Sequence, residues 1–379
     1  MSSYIEASNH LNHALDMLRN LPDASKDAKR ELDLMVALAT VQLATKGYGA
    51  LDVAAAFTRA KERCHELGRS EHLMTVMFGE WACGIHRQPL DDVIRLSRRL
   101  KRVAKSSEDI ADSLMGDHAL GNSLLFSGRF AQAKMYLSRT AQAYDEERHQ
   151  KHALRYGLDL LTASLSQLLM AEWALGGSDE AAEMANRAIG HAERIEHGNS
   201  LAHALIHGGL FLQQFQSNPT ETLRHAQRLH ELAEGGGFRM FVTWCRILEG
   251  WAVFELGEQS KGIAQMQDGI RRSQDTGSIL YQPYFLTLLG QCHGALLDFD
   301  KGLESVADAL RLVKERGERW YAAEAYRVKG ELLMRGGGDD AGAALALRHA
   351  LDIARQQKNV PFTQRVRTSL AEFDIVNGR

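Results

Sequence analysis

Proline is scarce, with five in 379 residues. Strand-like alternation of β-branched residues is also nearly absent. These two shortages remove sheet architectures. Good helix formers dominate instead: Ala, Leu, Glu, Arg and Gln. The chain reads as all-α. Cysteine is rare too. Cys64, Cys83, Cys245 and Cys292 stand far apart with no CxxC, which excludes a disulfide framework and suits a reducing compartment. The N-terminus lacks a basic region followed by an apolar run, and apolar stretches are broken well short of a membrane span. A soluble, cytoplasmic protein is expected, with no membrane partner. The net charge is only −3, which gives no support to polyanion binding by the whole chain. GxxxxGK[ST], GxSxG and HExxH are all missing. No residue pattern supports nucleotide, acyl-transfer or zinc-peptidase chemistry. The expectation is a non-enzymatic chain with no cofactor and no metal.

What is present is a repeat. Apolar residues make up 45% of the chain, enough to bury a core. Gly250, Gly290 and Gly330 recur with a step of 40, each inside an apolar helical segment. Gly237, Gly277 and Gly317 recur with the same step at helix ends. A glycine just past a helix end supplies a left-handed backbone. A glycine inside a helix costs up to about 1 kcal/mol against alanine, so recurrence in register implies close helix–helix approach. Each unit reads as helix A, a short turn, then helix B. Earlier units fit more loosely, with Gly121 and Gly128, then Gly176, in the same roles.

Length over period predicts one right-handed α-solenoid of about nine helix pairs, spanning residues 1–379 as a single domain. Residues 361–375 read as a capping helix. Helix A residues are expected to line a concave surface that takes a protein or peptide partner, or a small effector.

The stretch "ATKGYGALDV" (44–53) raises the question of a phosphate loop. An amphipathic helix precedes it, not a strand, and Lys46 comes before both glycines. Gly47 and Gly49 therefore read as an A-to-B turn, with Lys46 at a helix C-terminus, where a cation is favourable.

The pattern resembles the tetratricopeptide repeat: a small residue in helix A, a glycine at the turn, and small residues seven apart in helix B, as in Gly262 and Gly269. Its longer period resembles the long-helix variety of bacterial regulators. Segments 6–23, 43–53, 143–159, 277–290 and 317–334 resemble the C-terminal helical-repeat region of bacterial predicted ATPases. These include adenylate/guanylate cyclase-linked proteins and transcription regulators of the maltose-activator type. In the last segment, Arg319, Trp320, Glu324, Tyr326, Lys329, Gly330 and Glu331 match in register. The resemblance implies a regulatory sensor and interaction arm, either an excised C-terminal segment of such a regulator or a free-standing scaffold.

Three places are candidate sites. The step from Gly128 to Gly176 is 48, so eight extra residues fall around 145–156. Insertions in a solenoid project from one face and often carry binding. Tyr144, Asp145, Arg148, His149, Tyr156 and Asp159 are the candidate binding residues; alternatively, Asp145 and Arg148 cap an irregular helix join. His203 and His207 stand one helical turn apart, a metal-ligand spacing without a third ligand, as do His10 and His13 three apart. Helix-face histidines touching a neighbouring repeat are the alternative, and a metal-dependent enzyme is the remote one. Arg95, Arg98, Arg99, Arg102 and Lys105 form a basic stripe. It reads as a solvated face or a contact for an acidic protein rather than for nucleic acid. Trp244, Trp251 and Trp320 read as core.

Overall fold

A computed structural model describes residues 3–20, 28–68, 71–105, 107, 109–149, 152–234 and 237–376. Every element among them is helical. Helix α1 (Ser3–Arg19) is followed by a first pair, α2 (Ala28–Lys46) and α3 (Leu51–Glu66). The next pairs are α4 (Leu73–Arg87) with α5 (Leu90–Ala104), and α6 (Ile110–Phe126) with α7 (Phe130–Ala143). The expected insertion then forms two short helices, α8 (Glu146–His149) and α9 (His152–Tyr156). The fourth pair is α10 (Leu160–Ala174) with α11 (Ser178–Arg194). In the fifth, α12 (Gly198–Ala204) runs through a π-helical stretch, Leu205–Phe211, into α13 (Leu212–Phe215), and pairs with α14 (Pro219–Ala233). The last three pairs are α15 (Arg239–Glu255) with α16 (Gln259–Asp275), α17 (Gln282–Ala295) with α18 (Phe299–Arg316), and α19 (Ala322–Gly336) with α20 (Asp340–Gln356). Helix α21 (Val360–Val376) closes the chain where the capping helix is expected. Eight pairs flanked by α1 and α21 fill the length expected of nine.

The glycine series does the work read from its period. Gly250 of α15 and Gly262 of α16 face each other: a Cβ on Gly262 would lie 2.5 Å from Gly250 O and 2.6 Å from Phe254 N. Gly290 meets Val306 and Gly302 O, and Gly330 meets Leu347, in the same way. Gly262→Ala gains about 1 kcal/mol of helix propensity. Overpacking against rigid backbone costs about 1–3 kcal/mol, so the clash wins. A net loss of up to about 2 kcal/mol is expected in urea unfolding; a raised midpoint would contradict the close crossing. At the helix ends, Gly277 and Gly317 are left-handed, with φ of 74° and 75°. In the Gly237 unit the left-handed residue is Phe238 instead, at φ 58°.

The two helices of a pair carry different burdens. B helices such as α16 bury one narrow stripe: Gly262, Met266, Gly269, Ile270 and Ser273. The middle A helices are buried nearly all round, and in α10 every residue except Leu161 is buried. A helix buried on all faces must have neighbours on all faces. The neighbours come from the chain winding back on itself. Phe238 N donates to Ala44 O (3.1 Å), Ile279 N to His86 O (2.9 Å) and Arg319 N to Phe126 O (2.8 Å). A Cβ on Gly176, just past α10, would meet Val360 at the start of α21. The ends of α2, α4, α6 and α10 thus each meet the segment entering the helix five places later in the A series.

This closure corrects one expectation. Helix A residues do face inward, but they meet across the axis rather than line an open concave groove. It also explains "ATKGYGALDV". Gly47 is left-handed at the α2–α3 turn, with φ 92°. A Cβ on Gly49 would lie 2.7 Å from Gly277 C. Arg87 Nη1 donates to both Gly49 O (2.5 Å) and Gly277 O (3.4 Å). Lys46 pairs with Asp52. Among the described residues, no helix is long and apolar enough to cross a membrane.

Candidate functional site

The insertion folds into a compact polar knot. Asp159 is the N-cap of α10 and is fully buried. Its Oδ1 accepts from Thr162 N (2.7 Å) and Thr162 Oγ1 (2.9 Å), and its Oδ2 accepts from Tyr144 OH (2.7 Å). His191 Nε2 stands 3.1 Å from Asp159 Oδ1. Burial alone would raise the Asp159 carboxyl, but His191, Thr162 and Tyr144 hold it below its ordinary value. Burial, then the Asp159 carboxylate, push the Tyr144 hydroxyl up.

His149 Nδ1 accepts from Asp145 N (2.8 Å), and the His149 ring stacks on His152 at 4.8 Å. Tyr156 is buried and donates to Asp112 Oδ1 (2.7 Å). The structure therefore brings the six expected residues into one ring-lined neighbourhood. Tyr144, His149, Tyr156 and Asp159 turn their polar atoms to internal partners. Arg148 is exposed and reaches Asp145 within 3.5 Å. Asp159→Ala removes a cap worth about 1 kcal/mol and a charged hydrogen bond worth about 1.5–3 kcal/mol. A loss of about 2.5–4 kcal/mol is expected in urea unfolding. A variant as stable as the parent would show that the knot is not structural.

The axis is lined with rings and histidines. His86 stacks between Tyr48 (5.3 Å) and Trp244 (5.8 Å). His86 Nδ1 is 2.9 Å from Ser278 Oγ, and His118 Nδ1 is 3.0 Å from Ser164 Oγ. His207 Nδ1 donates to His203 O (2.8 Å), which fixes its tautomer. Its Nε2 then accepts from Tyr281 OH (2.8 Å) and Gln167 Nε2 (3.2 Å). His207 is thus committed to protein contacts through both ring nitrogens, and among the described residues no group of three His, Cys, Asp or Glu side chains could hold a metal. These two histidines flank the entry to the π-helical stretch, whose Gly208 and Gly209 sit against Ala185 and His225.

A cavity of about 40 Å³ remains among these rings. At roughly 10–15 Å³ of such volume per water, it suits a few waters and nothing larger. Asn122 Oδ1, Gln167 Oε1, His203 Nδ1 and Trp244 Nε1 line it without protein partners, as a hydrated cavity requires. Burial drives all four histidines towards the neutral form: His86 to about 3, His118 and His207 to about 4, and His203 well down.

Open space lies outside, along the seam where the superhelix meets itself. One cleft of about 1040 Å³ lies between the α2–α3 turn and helices α14 to α16. Arg87, Arg239, Arg246 and Arg271 line it, opposed by Asp52, Glu234 and Asp275. Two pairs further along, a cleft of about 820 Å³ lies between the α6–α7 turn and helices α18 to α20. Arg129, Lys314, Arg319 and Lys329 line this one, and among the described residues no carboxylate does. Its floor includes Leu310 and Ile353, and Tyr326 stacks on His349 at 4.3 Å with a 22° tilt. The basic stripe on α5 is a separate solvent-facing surface, with Arg95, Arg98, Arg99, Arg102 and Lys105 all exposed.

The second cleft divides the segment 317–334 by role. Trp320, Glu324 and Gly330 are buried, while Arg319, Tyr326 and Lys329 line the cleft. Tyr326 and Lys329 are three apart on one helix, so their shared face is legible in sequence. Arg129 arrives from the α6–α7 turn, and no local pattern could announce it.

No family model matches the chain. It is similar to an uncharacterized protein of Rhizobium meliloti (strain 1021), 24% identical over 382 residues that include the whole chain. The chain spans 37% of the length of that curated relative. Among solved structures it is similar to a Rap protein complexed with competence and sporulation factor: TM-score 0.53, 10% identity, 91% of this chain and 99% of that one. A signal transduction ATPase with numerous domains and a tetratricopeptide repeat sensor, from Pyrococcus horikoshii, aligns with TM-score 0.49 and 15% identity, over 95% of this chain and 50% of that one. The chain is an all-α solenoid of tetratricopeptide-like helix pairs, closed upon its own axis.

Proposed function

We propose that this chain is a non-catalytic regulatory and protein-interaction arm of a longer bacterial signalling protein, an ATPase- or cyclase-linked regulator, working in the cytoplasm. The observation that carries this reading is where open surface is found. The A helices are used up in closing the axis, and the large clefts lie on the outer seam between successive windings. A partner seated there touches pairs that are five apart in sequence, so its binding reports on the winding of the whole arm. Strain spread over many small interfaces can then reach a switch attached elsewhere. The relative's greater length is in keeping with an arm attached to further domains.

The reading is tested by placing a photo-cross-linking residue at 314 or 319 on the seam, and at 62 or 186 on exposed B-helix surface. In the producing cell, the seam positions should capture one discrete protein that the other positions do not. Equal capture from both surfaces, or capture only away from the seam, would contradict it.

A further inference from the structure

We propose that the cleft between the α6–α7 turn and helices α18 to α20 is a docking site for an acidic peptide segment that also carries apolar side chains. This rests on the interaction-arm reading and names the partner chemistry of its seam. Four observations carry it. Arg129, Lys314, Arg319 and Lys329 converge on one cleft, and among the described residues none of the four forms an ion pair. Arg311, which also lines the cleft, is different, since Asp308 and Glu315 already hold it. Unneutralised like charges gathered in a concave site focus potential and favour an anionic ligand.

The second observation is the floor. Leu310 and Ile353 are half-buried, and the Tyr326–His349 stack forms an aromatic wall. A purely ionic ligand would leave this surface wet, whereas a peptide with leucine or phenylalanine beside its carboxylates covers it. Third, Gln357 Nε2 donates to Arg319 O (2.7 Å), which ties the Arg319 backbone to the end of α20, so this cation is presented from a fixed main chain at the cleft edge. Fourth, the chain carries a net charge of −3. A long polyphosphate would run past the cleft onto a surface with no net positive charge, whereas a short acidic segment stays within it.

The test uses the full chain and fluorescence anisotropy with three labelled probes: a glutamate–leucine peptide, its lysine–leucine counterpart and oligo(dT). The glutamate–leucine peptide should bind, the lysine–leucine peptide should not, and oligo(dT) should bind more weakly. Affinity should fall with added salt as the charges are screened. Arg319→Glu with Lys329→Glu should weaken the peptide by at least about tenfold, in line with losing two charge contacts. Arg99→Glu with Arg102→Glu, on the exposed face of α5, should leave it unchanged. All four side chains are at least partly exposed, and circular dichroism and melting temperature should match the parent. Oligo(dT) binding as tightly as the peptide, or a peptide indifferent to the cleft variant, would overturn the inference. If the peptide fails to bind while cross-linking at 314 or 319 still captures a discrete protein, this inference falls and the interaction-arm reading stands.

Discussion

Acidification from pH 6.5 towards pH 4 should unfold this protein steeply. The cause is a set of histidines buried neutral on the axis. In the unfolded chain each takes a proton near 6.5. In the folded protein His86 resists until about 3, and His118 and His207 until about 4, chiefly because burial penalises the imidazolium. Arg316 adds to the effect at His86. Between those limits the unfolded state binds more protons than the folded one, so stability is full above 6.5 and is lost as pH falls. One such histidine contributes about 1.4 kcal/mol per pH unit, and three together about 4 kcal/mol per unit. A typical domain has only about 5–15 kcal/mol to lose. The urea midpoint should therefore drop sharply between pH 6.5 and 5, before carboxylates of ordinary pKa titrate. A flat profile over that interval would mean that these rings are open to bulk solvent.

Glu324→Ala should be the most damaging single substitution in the last pair. Glu324 is fully buried and accepts from Arg327 Nη2 (2.7 Å), Arg327 Nε (2.9 Å) and Arg365 Nη1 (3.3 Å). Burial alone would raise its carboxyl, yet the two guanidinium groups hold it below the ordinary value. Arg327 is itself buried, with Glu331 as its other carboxylate partner. Removing Glu324 leaves that cation poorly compensated, which costs about 3–5 kcal/mol. Arg365 suffers less, because it is partly exposed and also lies over Trp173 and Phe362. Glu324→Leu combined with Arg327→Met should recover most of the loss, since an apolar pair of similar volume is often as stable as a buried ion pair. Urea unfolding of the single and double variants checks both statements. A mild single variant, or a double variant no better than the single, would contradict the assignment.

Fold class was legible because its signals are local. Helix propensity, scarce proline and glycines stepping by 40 all act within one helix pair, and Gly250, Gly290 and Gly330 sit against their partner helices as the period implied. The closed axis was not legible, because it depends on pairs that are five apart. Arg87 bridging Gly49 O and Gly277 O joins positions separated by 190 residues in one of its two bonds. The insertion at 145–156 was visible as a break in register, but the role of its residues was not. A tyrosine and an aspartate at a helix start read alike whether they meet a ligand or, as Tyr144 and Asp159 do, each other. The basic stripe on α5 was visible because one helix carries it. The cations of the seam cleft come from the α6–α7 turn, α18, the α18–α19 loop and α19, so each looks ordinary where it stands in the chain.

The central claim is that the solenoid closes on itself and leaves its outer seam for binding. Hydrogen exchange at three loop amides tests it most directly. Phe238, Ile279 and Arg319 donate to carbonyls of Ala44, His86 and Phe126, each about 190 residues away in sequence. Closure predicts that these amides exchange as slowly as those of the A helices they touch. Exchange at open-loop rates, with the A helices still protected, would show that the windings stand apart and that the axis is an open groove after all.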